Sequence, residues 1–494
     1  MSQSLKPLIE TCVPRDDVRS GNFAAVDFAA RLEQVVTDPG SYADYGLPER
    51  FFSLTYPTNG MKRLLTGVFG RLSGQDVAGA ENPVLRFQTS FGGGKTHGLI
   101  AAYHVARGYR PGPEFFDALF DEELLPADMG VSAVVGEQLD PVNGVELSGE
   151  VAYTLWGAIG AQLGPDAWAV VAESDAARTP PGTGTIKKML GGRPTVIIVD
   201  EVAHYLRTLA TSGSEDVRSL ARALPAFFKS LFEVAAEKGS GLVVVITLAT
   251  EKDAYGAETD QVATLLESTV GEASSVLARQ EAVLVPASDH EIAAILRRRL
   301  FESIDDAAAS EAGAAYQALY EHLVASGESL PAGAGQPATY GATVAAAYPF
   351  HPELVRVLDS RIATIPTFQR ARGALRLLAA TIGFLWAEPI GTVMINVADL
   401  PLTSDKVLYE LTERLGKERF RQPAEVDIAG PRAHAAEIDN ARFASKPFAA
   451  RAATCVFLHS LEQVSTVGAG RGDYLLGSLR PDDTPEVYDE ALNS

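Results

Sequence analysis

A glycine-rich stretch that ends in lysine and threonine is the first feature of the sequence with an evident chemistry. Residues 89–96 read Thr-Ser-Phe-Gly-Gly-Gly-Lys-Thr. Consecutive glycines let the backbone turn tightly and point several N–H groups at one anion. A helix that begins at Lys95 would add the positive end of its dipole. Lys95 would bind the β- and γ-phosphates, and the Thr96 hydroxyl would ligate Mg²⁺. We therefore predict a phosphate-binding loop here.

The predicted nucleotide contacts are the loop and the residue after it: Phe91, Gly92, Gly93, Gly94, Lys95, Thr96 and His97. Thr96 is also a predicted Mg²⁺ ligand. The usual pattern has a glycine at the position of Thr89, so the match is incomplete at its first glycine. A flexible surface turn is the alternative interpretation of Gly-Gly-Gly-Lys-Thr alone. His97 could equally satisfy a local hydrogen bond.

Two carboxylates, Asp200 and Glu201, follow the continuous apolar run at residues 196–199. Such a run is typical of a strand that is buried on both faces of a parallel sheet. We expect this strand to lie directly beside the strand that precedes the glycine loop. Asp200 would then reach Mg²⁺, and Glu201 would polarise the attacking water as a general base. The position of this pair, 105 residues after Lys95 in one α/β pattern, favours a single shared site.

Five further polar residues could complete the site. Thr247 and Thr250 close the next apolar strand, where a hydroxyl could hold the attacking water or merely cap the strand. Arg279 could reach the nucleotide of a neighbouring subunit and stabilise charge on the transferred phosphoryl group, or it could be solvated. Arg372 and Arg376 open a later helix and could fold back onto the γ-phosphate.

Strand and helix patterns alternate around these residues. This alternation predicts a doubly wound α/β fold, in which helices sandwich a parallel sheet, and the glycine loop makes it one of the P-loop NTPase kind. The expected strands are 84–88, 131–135, 195–200, 241–248 and 282–285. The expected helices include 95–106, 151–163 and a long amphipathic one after Asp216.

The change of pattern along the chain predicts four segments. Residues 1–60 are mainly helical, and residues 61–286 form the nucleotide-binding core. A helical lid spans residues 287–390, with a Pro/Gly/Ala-rich loop at 331–341. Residues 391–494 are mixed α/β or helical and could begin a further domain of a longer protein.

Composition restricts the compartment and the partners. The chain has 63 acidic and 42 basic side chains, which gives a net charge of −21. This charge repels nucleic-acid phosphates at long range, so direct DNA contact is unsupported by composition. Two distant cysteines, Cys12 and Cys455, form no disulfide or zinc pattern and favour a reducing cytoplasm. We expect no membrane span, because the most apolar longer segment, Val151 to Ala172, contains glycine, proline and aspartate.

With these residues in view, the chain resembles the AAA+ class of P-loop ATPases over about residues 61–390. The resemblance implies a five-stranded parallel core, a helical lid and ring-shaped or stacked oligomers. It assigns the sensor position to a strand-end threonine, the arginine finger to one arginine and the lid sensor to another. The matching positions are Lys95, Asp200, Glu201, Thr247 or Thr250, Arg279 and Arg372.

A closer resemblance is to the large bacterial and archaeal ATPases known as "domain of unknown function 499". It is carried by the segments 56–60, 87–97, 348–352 and 368–373, which read YPTNG, FQTSFGGGKTH, YPFHP and FQRARG. These ATPases are similar to the PglY proteins of phage-growth-limitation and BREX-type defence islands, which contain DNA methyltransferases. The threonine at position 89 is shared by this pattern. The defence role is implied by the resemblance alone.

We therefore predict a cytoplasmic enzyme that binds ATP and Mg²⁺ and hydrolyses ATP to remodel a defence or DNA-modification complex. Its expected partners are further copies of the chain or proteins of such a complex, including a DNA methyltransferase. A nucleotide-gated switch or scaffold with little turnover is one alternative. A DNA translocase is the other, against which the acidic charge argues.

Overall fold

The structure is a computed structural model. It describes residues 5–21, 28–87, 94–247, 281–284, 291–331, 333–368, 371–388, 391–430, 432–461 and 468–494. The chain divides into two compact units. We call Ala30–Ser288 the sheet unit, and Met1–Ala29 with Asp289–Ser494 the helical unit.

The strands of the described residues are numbered in chain order. They are β1 (Cys12–Pro14), β2 (Val84–Phe87), β3 (Gly130–Val135), β4 (Val145–Leu147), β5 (Glu150–Ala152), β6 (Thr195–Asp200), β7 (Leu242–Thr247), β8 (Glu281–Leu284) and β9 (Phe301–Ile304). Five of them form one parallel sheet in the order β3-β6-β7-β2-β8. The predicted strands and the mixed α/β architecture are thus confirmed.

The described helices of four or more residues are also numbered in chain order. They are α1 (Leu8–Thr11), α2 (Asp16–Ser20), α3 (Leu32–Thr37), α4 (Ala43–Gly46), α5 (Pro48–Leu54), α6 (Asn59–Ser73), α7 (Lys95–Ala106), α8 (Leu155–Leu163), α9 (Pro165–Ala176), α10 (Thr183–Leu190), α11 (Val202–Ala210), α12 (Glu215–Ala236), α13 (Ile292–Leu300), α14 (Asp306–Ala325), α15 (Pro337–Ala347), α16 (Pro352–Ser360), α17 (Ala371–Ala387), α18 (Asp405–Leu411), α19 (His434–Arg442), α20 (Phe448–Ser460), α21 (Arg471–Ser478) and α22 (Pro485–Leu492). A π-helical segment spans Ala424–Ala429.

The expected neighbour of the glycine-loop strand was wrong. β6, which ends in Asp200, pairs with β3 and β7, so β7 lies between β6 and β2. The register pairs Phe87 with Thr247 and Val199 with Ile246, which places Thr247 level with Asp200. The run of apolar residues identifies a buried strand but contains no information on which strand lies beside it, because the crossover connections set that order.

Helices cover both faces of this sheet. Alternate residues of β6 and β7 point to opposite faces, as strand geometry requires. Ile198 and Val245 pack in one core with α3, α5, α6 and α7. Ile197 and Val244 pack in a second core with α8 to α12. All six residues of each strand are buried, and each fully buried Val or Ile side chain contributes about 1.5–3 kcal/mol.

The helical unit has a core of its own. It extends from Leu8 in α1 to Tyr488 in α22 and includes residues on both sides of position 390, such as Leu377 and Val407. The two short strands β1 and β9 pair antiparallel in this unit. Helix α17 is buried over most of its length, which accounts for its almost uniformly apolar sequence.

Two expected element boundaries were also wrong. The segment predicted as a helix from residue 151 begins with β5, and α8 starts only after Thr154, whose side chain accepts a hydrogen bond from Gly157 N. The predicted loop at 331–341 contains the start of α15, because Pro337 occupies the first helical position, where proline is well tolerated. Within the described ranges, no helix combines the length and apolarity that a membrane crossing would require.

Candidate functional site

Lys95, Thr96 and Asp200, which the sequence predicts to bind phosphate and metal, lie together at the carboxyl edge of the parallel sheet. Gly94 has a left-handed backbone (φ 84°) and precedes Lys95, the first residue of α7. Asp200 and Thr247 are the last residues of the adjacent strands β6 and β7. In open α/β sheets, ligands bind outside the carboxyl ends of the strands, so this edge is where a ligand site is expected.

One direct contact joins the two distant sequence stretches. The Thr96 hydroxyl donates to Asp200 Oδ2 at 3.4 Å, across 104 positions of sequence. The Lys95 ammonium also acts on Asp200, since its charge favours the ionised carboxylate. The spacing of the glycine loop and the acidic strand end therefore does bring Lys95, Thr96 and Asp200 together.

Asp200 is a buried carboxyl group with several polar neighbours. It is 4% exposed, and burial raises its pKa. Hydrogen bonds from the Thr247 hydroxyl and from the amide of Glu201 oppose that rise, as does the charge of Lys95. A dehydrated carboxylate of this kind gains most from a cation placed against its oxygens.

Glu201 has an unusual backbone. Its φ and ψ are 57° and 37°, the left-handed region that non-glycine residues rarely occupy. Its amide donates to the Thr247 hydroxyl and to Asp200 Oδ1, both at 3.0 Å. Its carbonyl accepts from the amides of His204 and Tyr205 at the start of α11. Strained backbone of this type is concentrated at functional sites, where the surrounding contacts maintain it.

Thr247 connects the two acidic residues. Its hydroxyl donates to Asp200 Oδ1 and accepts from the amide of Glu201. The sequence predicts that Thr247 could contact the attacking water. In the structure its hydroxyl contacts the Asp200 carboxylate and the Glu201 amide. Sequence reasoning missed this link, because it depends on β7 lying next to β6. The signal was a threonine that ends a buried strand level with an aspartate.

The two histidines of α7 fix this helix to its surroundings. His97 Nε2 lies 2.8 Å from the Thr55 hydroxyl, and the ring packs 4.6 Å from that of Phe51. His104 Nε2 lies 2.7 Å from the carbonyl oxygen of Tyr45. Burial lowers the pKa of His104. His97 is one of the predicted nucleotide contacts. In the structure it has a local partner, the hydroxyl of Thr55 at the end of α5.

The two candidate lid arginines belong to the helical unit. Arg376 is 2% exposed and donates through Nε to Glu410 Oε2 at 3.1 Å. Burial lowers its pKa, and the charges of Arg414 and Arg372 act in the same direction. Arg376 is therefore committed to an ion pair within α17 and α18, while Arg372 is half-buried at the start of α17.

The remaining predicted site residues lie outside the described residues. They are Phe91, Gly92, Gly93, Thr250 and Arg279.

The donor set at Thr96 and Asp200 fits a magnesium ion. Mg²⁺ prefers oxygen ligands and is commonly held by one or two protein groups, with waters and substrate phosphates completing the octahedron. The Thr96 hydroxyl and the Asp200 carboxylate supply two such oxygens that already face each other at 3.4 Å. The residues present therefore suit a metal that is shared with a bound phosphate.

Two family models cover most of the chain. The model described as "DUF499 N-terminal domain" matches residues 10–283, and the model described as "DUF499 second domain" matches residues 287–468. The border between the two matches falls next to Ser288, where the sheet unit ends. No curated protein matches the chain in sequence.

Proposed function

The chain belongs to the DUF499 family, and from its sheet-edge site we propose that it is a Mg²⁺-dependent ATP hydrolase of the AAA+ type. The observation that carries the proposal is the contact of Thr96 with Asp200, next to Lys95 and Glu201. A lysine and a hydroxyl at the start of α7, with two consecutive carboxylates at the end of β6, are the groups that phosphoryl transfer to water requires.

Each residue has a distinct part in this proposal. Lys95 binds the β- and γ-phosphates, and Thr96 with Asp200 holds the metal. A Mg²⁺ ion held by these two groups would neutralise the negative charge that develops during phosphoryl transfer. Glu201 accepts a proton from the attacking water as general base, which contributes typically about 10²–10⁴-fold to such reactions. Thr247 orients the Asp200 carboxylate and the backbone amide of Glu201 through its hydroxyl.

The proposal extends to the cell biology by resemblance. We propose that hydrolysis drives remodelling of a defence or DNA-modification complex in the cytoplasm, with further copies of the chain or a DNA methyltransferase as partners. Thr250 and Arg279 keep their proposed roles as water-holding residue and arginine finger on sequence grounds. Arg372 keeps its role as lid sensor on the same grounds, whereas the ion pair of Arg376 with Glu410 favours a structural role for Arg376.

Two substitutions separate binding from chemistry. Lys95→Ala should abolish nucleotide binding, because the loop loses its phosphate cation. Glu201→Gln should bind ATP with near wild-type affinity and lower the hydrolysis rate by at least about 100-fold, because glutamine cannot accept the proton. Binding is measured by fluorescence anisotropy of a labelled ATP analogue, and turnover is measured by phosphate release.

Exposed residues of the same unit provide matched controls for these variants. Lys188→Ala and Glu173→Gln change equivalent side chains away from the sheet edge and should leave both measurements unchanged. Tight ATP binding by Lys95→Ala, or wild-type turnover by Glu201→Gln, would refute the proposal.

The same assay decides between the rival functions. A switch or scaffold binds ATP and releases less than about one phosphate per chain, whereas the proposed hydrolase turns over repeatedly. A DNA translocase would be stimulated by duplex DNA in a salt-sensitive manner. The net charge of −21 argues against that last outcome.

A further inference from the structure

Gly136 approaches the backbone of Glu201 too closely for any side chain to fit. A β-carbon at position 136 would lie 2.4 Å from the carbonyl oxygen of Glu201 and 3.1 Å from its carbonyl carbon. It would also lie 2.9 Å from the β-carbon of Tyr205. Real β-carbon contacts are essentially never shorter than 3.0 Å, so an alanine here must displace a neighbour.

The neighbour that must move is backbone on a rigid element. Gly136 directly follows β3, whose last residue, Val135, pairs with Asp200 at the end of β6. β3 is the edge strand of the described sheet, but it is largely buried and pairs with the fully buried β6 along its whole length, so the two strands cannot separate cheaply. The φ of Gly136 lies outside the left-handed region, so alanine would carry no backbone strain of its own. The cost is the clash with the Glu201 carbonyl and, to a smaller extent, with the β-carbon of Tyr205.

Hydrogen bonds hold both the N–H and the carbonyl group of Glu201, each to a different part of the fold. On the amide side, the Thr247 hydroxyl and Asp200 accept its N–H. On the carbonyl side, the amides of His204 and Tyr205 hold its oxygen against the space at Gly136. A displaced carbonyl must therefore rotate ψ of Glu201 or break the amide contacts. Because His204 and Tyr205 hold the carbonyl side, such a change shifts the Cα of Glu201, and a shift of the Cα would redirect its side chain.

We propose that Gly136 is a positioning residue for the hydrolysis reaction, an inference that rests on the proposed function: the missing side chain at 136 leaves room for the Glu201 carbonyl and so keeps the general base aimed at the attacking water. Gly136 itself touches no reacting atom. Its proposed effect on the reaction passes through Glu201, whose carbonyl is the nearest group to the missing β-carbon.

Gly136→Ala should therefore lower kcat by about 100-fold, the loss associated with a displacement of about 1 Å at a reacting group. Binding of the labelled ATP analogue should change by less than about threefold, because Lys95 and Thr96 are untouched. Gly213→Ala is the matched control, since Gly213 is exposed in the same unit and a β-carbon there meets nothing within 4 Å. This control should behave as wild type in both measurements.

A double-substitution cycle distinguishes positioning from general damage. In the Glu201→Gln background, Gly136→Ala should reduce the residual single-turnover rate by less than about twofold, because the base it positions is already absent. A 100-fold loss in that background, or wild-type kcat in Gly136→Ala alone, overturns the inference. If the wild-type protein shows no Lys95-dependent hydrolysis, the proposed function itself fails. That result differs from the two outcomes that overturn the role of Gly136.

If Gly136→Ala does not fold, Thr247 carries the same test from the amide side of Glu201. Thr247→Val removes the hydroxyl that accepts the Glu201 amide, and Thr247→Ser retains it. We expect Thr247→Val to lose a much larger factor in kcat in the wild-type background than in Glu201→Gln, where only the contact of the hydroxyl with Asp200 remains to be lost, and Thr247→Ser to restore kcat. Equal losses in both backgrounds would show that Glu201 positioning is not the cause.

Discussion

At the scale of single residues, the buried carboxyl group of Asp200 is the least favourable feature of the site for folding. Burial disfavours its charged form, and its raised pKa expresses that cost. The Thr247 hydroxyl, the Glu201 amide and the charge of Lys95 offset only part of it. An acid in such a position costs stability, and the proposed metal site gives it a function.

Asp200→Asn should therefore make the nucleotide-free protein more stable. A carboxyl group whose pKa is higher in the folded state makes folding less favourable as the pH rises above its unfolded value. A neutral asparagine of the same shape removes that cost at pH 7.5, and we expect a gain of about 0.5–2 kcal/mol in the free energy of unfolding. The free energy of unfolding of the sheet unit is measured by urea denaturation. An unchanged or lower stability of Asp200→Asn would contradict this prediction.

At the scale of elements, the start of α8 is held by a buried carboxylate of α9, that of Asp175. Asp175 accepts hydrogen bonds from the amides of Tyr153 and Thr154 and from the Thr154 hydroxyl. The Thr154 hydroxyl in turn accepts from Gly157 N, the cap of the helix. This network holds the short hairpin β4-β5 and α8 in register with each other.

Asp175→Ala should destabilise the sheet unit by about 2–4 kcal/mol, since it leaves two buried amides and a hydroxyl without their acceptor. The exposed Asp166 on the same helix is the matched control, and Asp166→Ala should cost less than about 0.5 kcal/mol. Chemical denaturation at neutral pH measures the change in the free energy of unfolding for both variants. Equal effects of the two substitutions would show that the Asp175 network does not determine the start of α8.

The extent of successful prediction differs between elements for physical reasons. The start of α7 and the limits of β6 were predicted closely, since a glycine loop before a helix and an uninterrupted apolar run are local signals. The start of α8 was missed, because its cap depends on Asp175 from the following helix. The position of β7 between β2 and β6 was missed because strand order is set by long crossover connections. For the same reason, Gly136 had no signal in the sequence.

At the scale of the whole molecule, the helical unit contains fully buried histidines. Burial lowers the pKa of His351 to about 3 and that of His459 to about 4. His351 is engaged by the Tyr320 hydroxyl and the amide of Glu353. Neither ring nitrogen of His459 has a hydrogen-bond partner among the described residues. Protonation of either ring therefore opposes folding.

Acid should accordingly destabilise the helical unit. The unfolded histidines titrate near pH 6.5, so the stabilising effect of their neutral forms is complete above that pH and is lost as the pH falls from 6.5 toward 4. Each ring can contribute at most about 1.4 kcal/mol per pH unit in this window. His459→Leu should reduce the pH dependence of the unfolding free energy between pH 6.5 and 5. Exposed His322→Leu is the control, and an unchanged slope in His459→Leu would contradict this account.

The account as a whole depends on two sequence stretches, 104 positions apart, sharing one metal and one nucleotide. Electron paramagnetic resonance of Mn²⁺, used in place of Mg²⁺, measures the binding of the metal–ATP complex directly. We predict one Mn²⁺–ATP per chain in the wild type and in the exposed control Asp216→Asn, and at least about tenfold weaker binding in Thr96→Ala and in Asp200→Asn. Wild-type Mn²⁺–ATP affinity in both site variants would contradict the central claim.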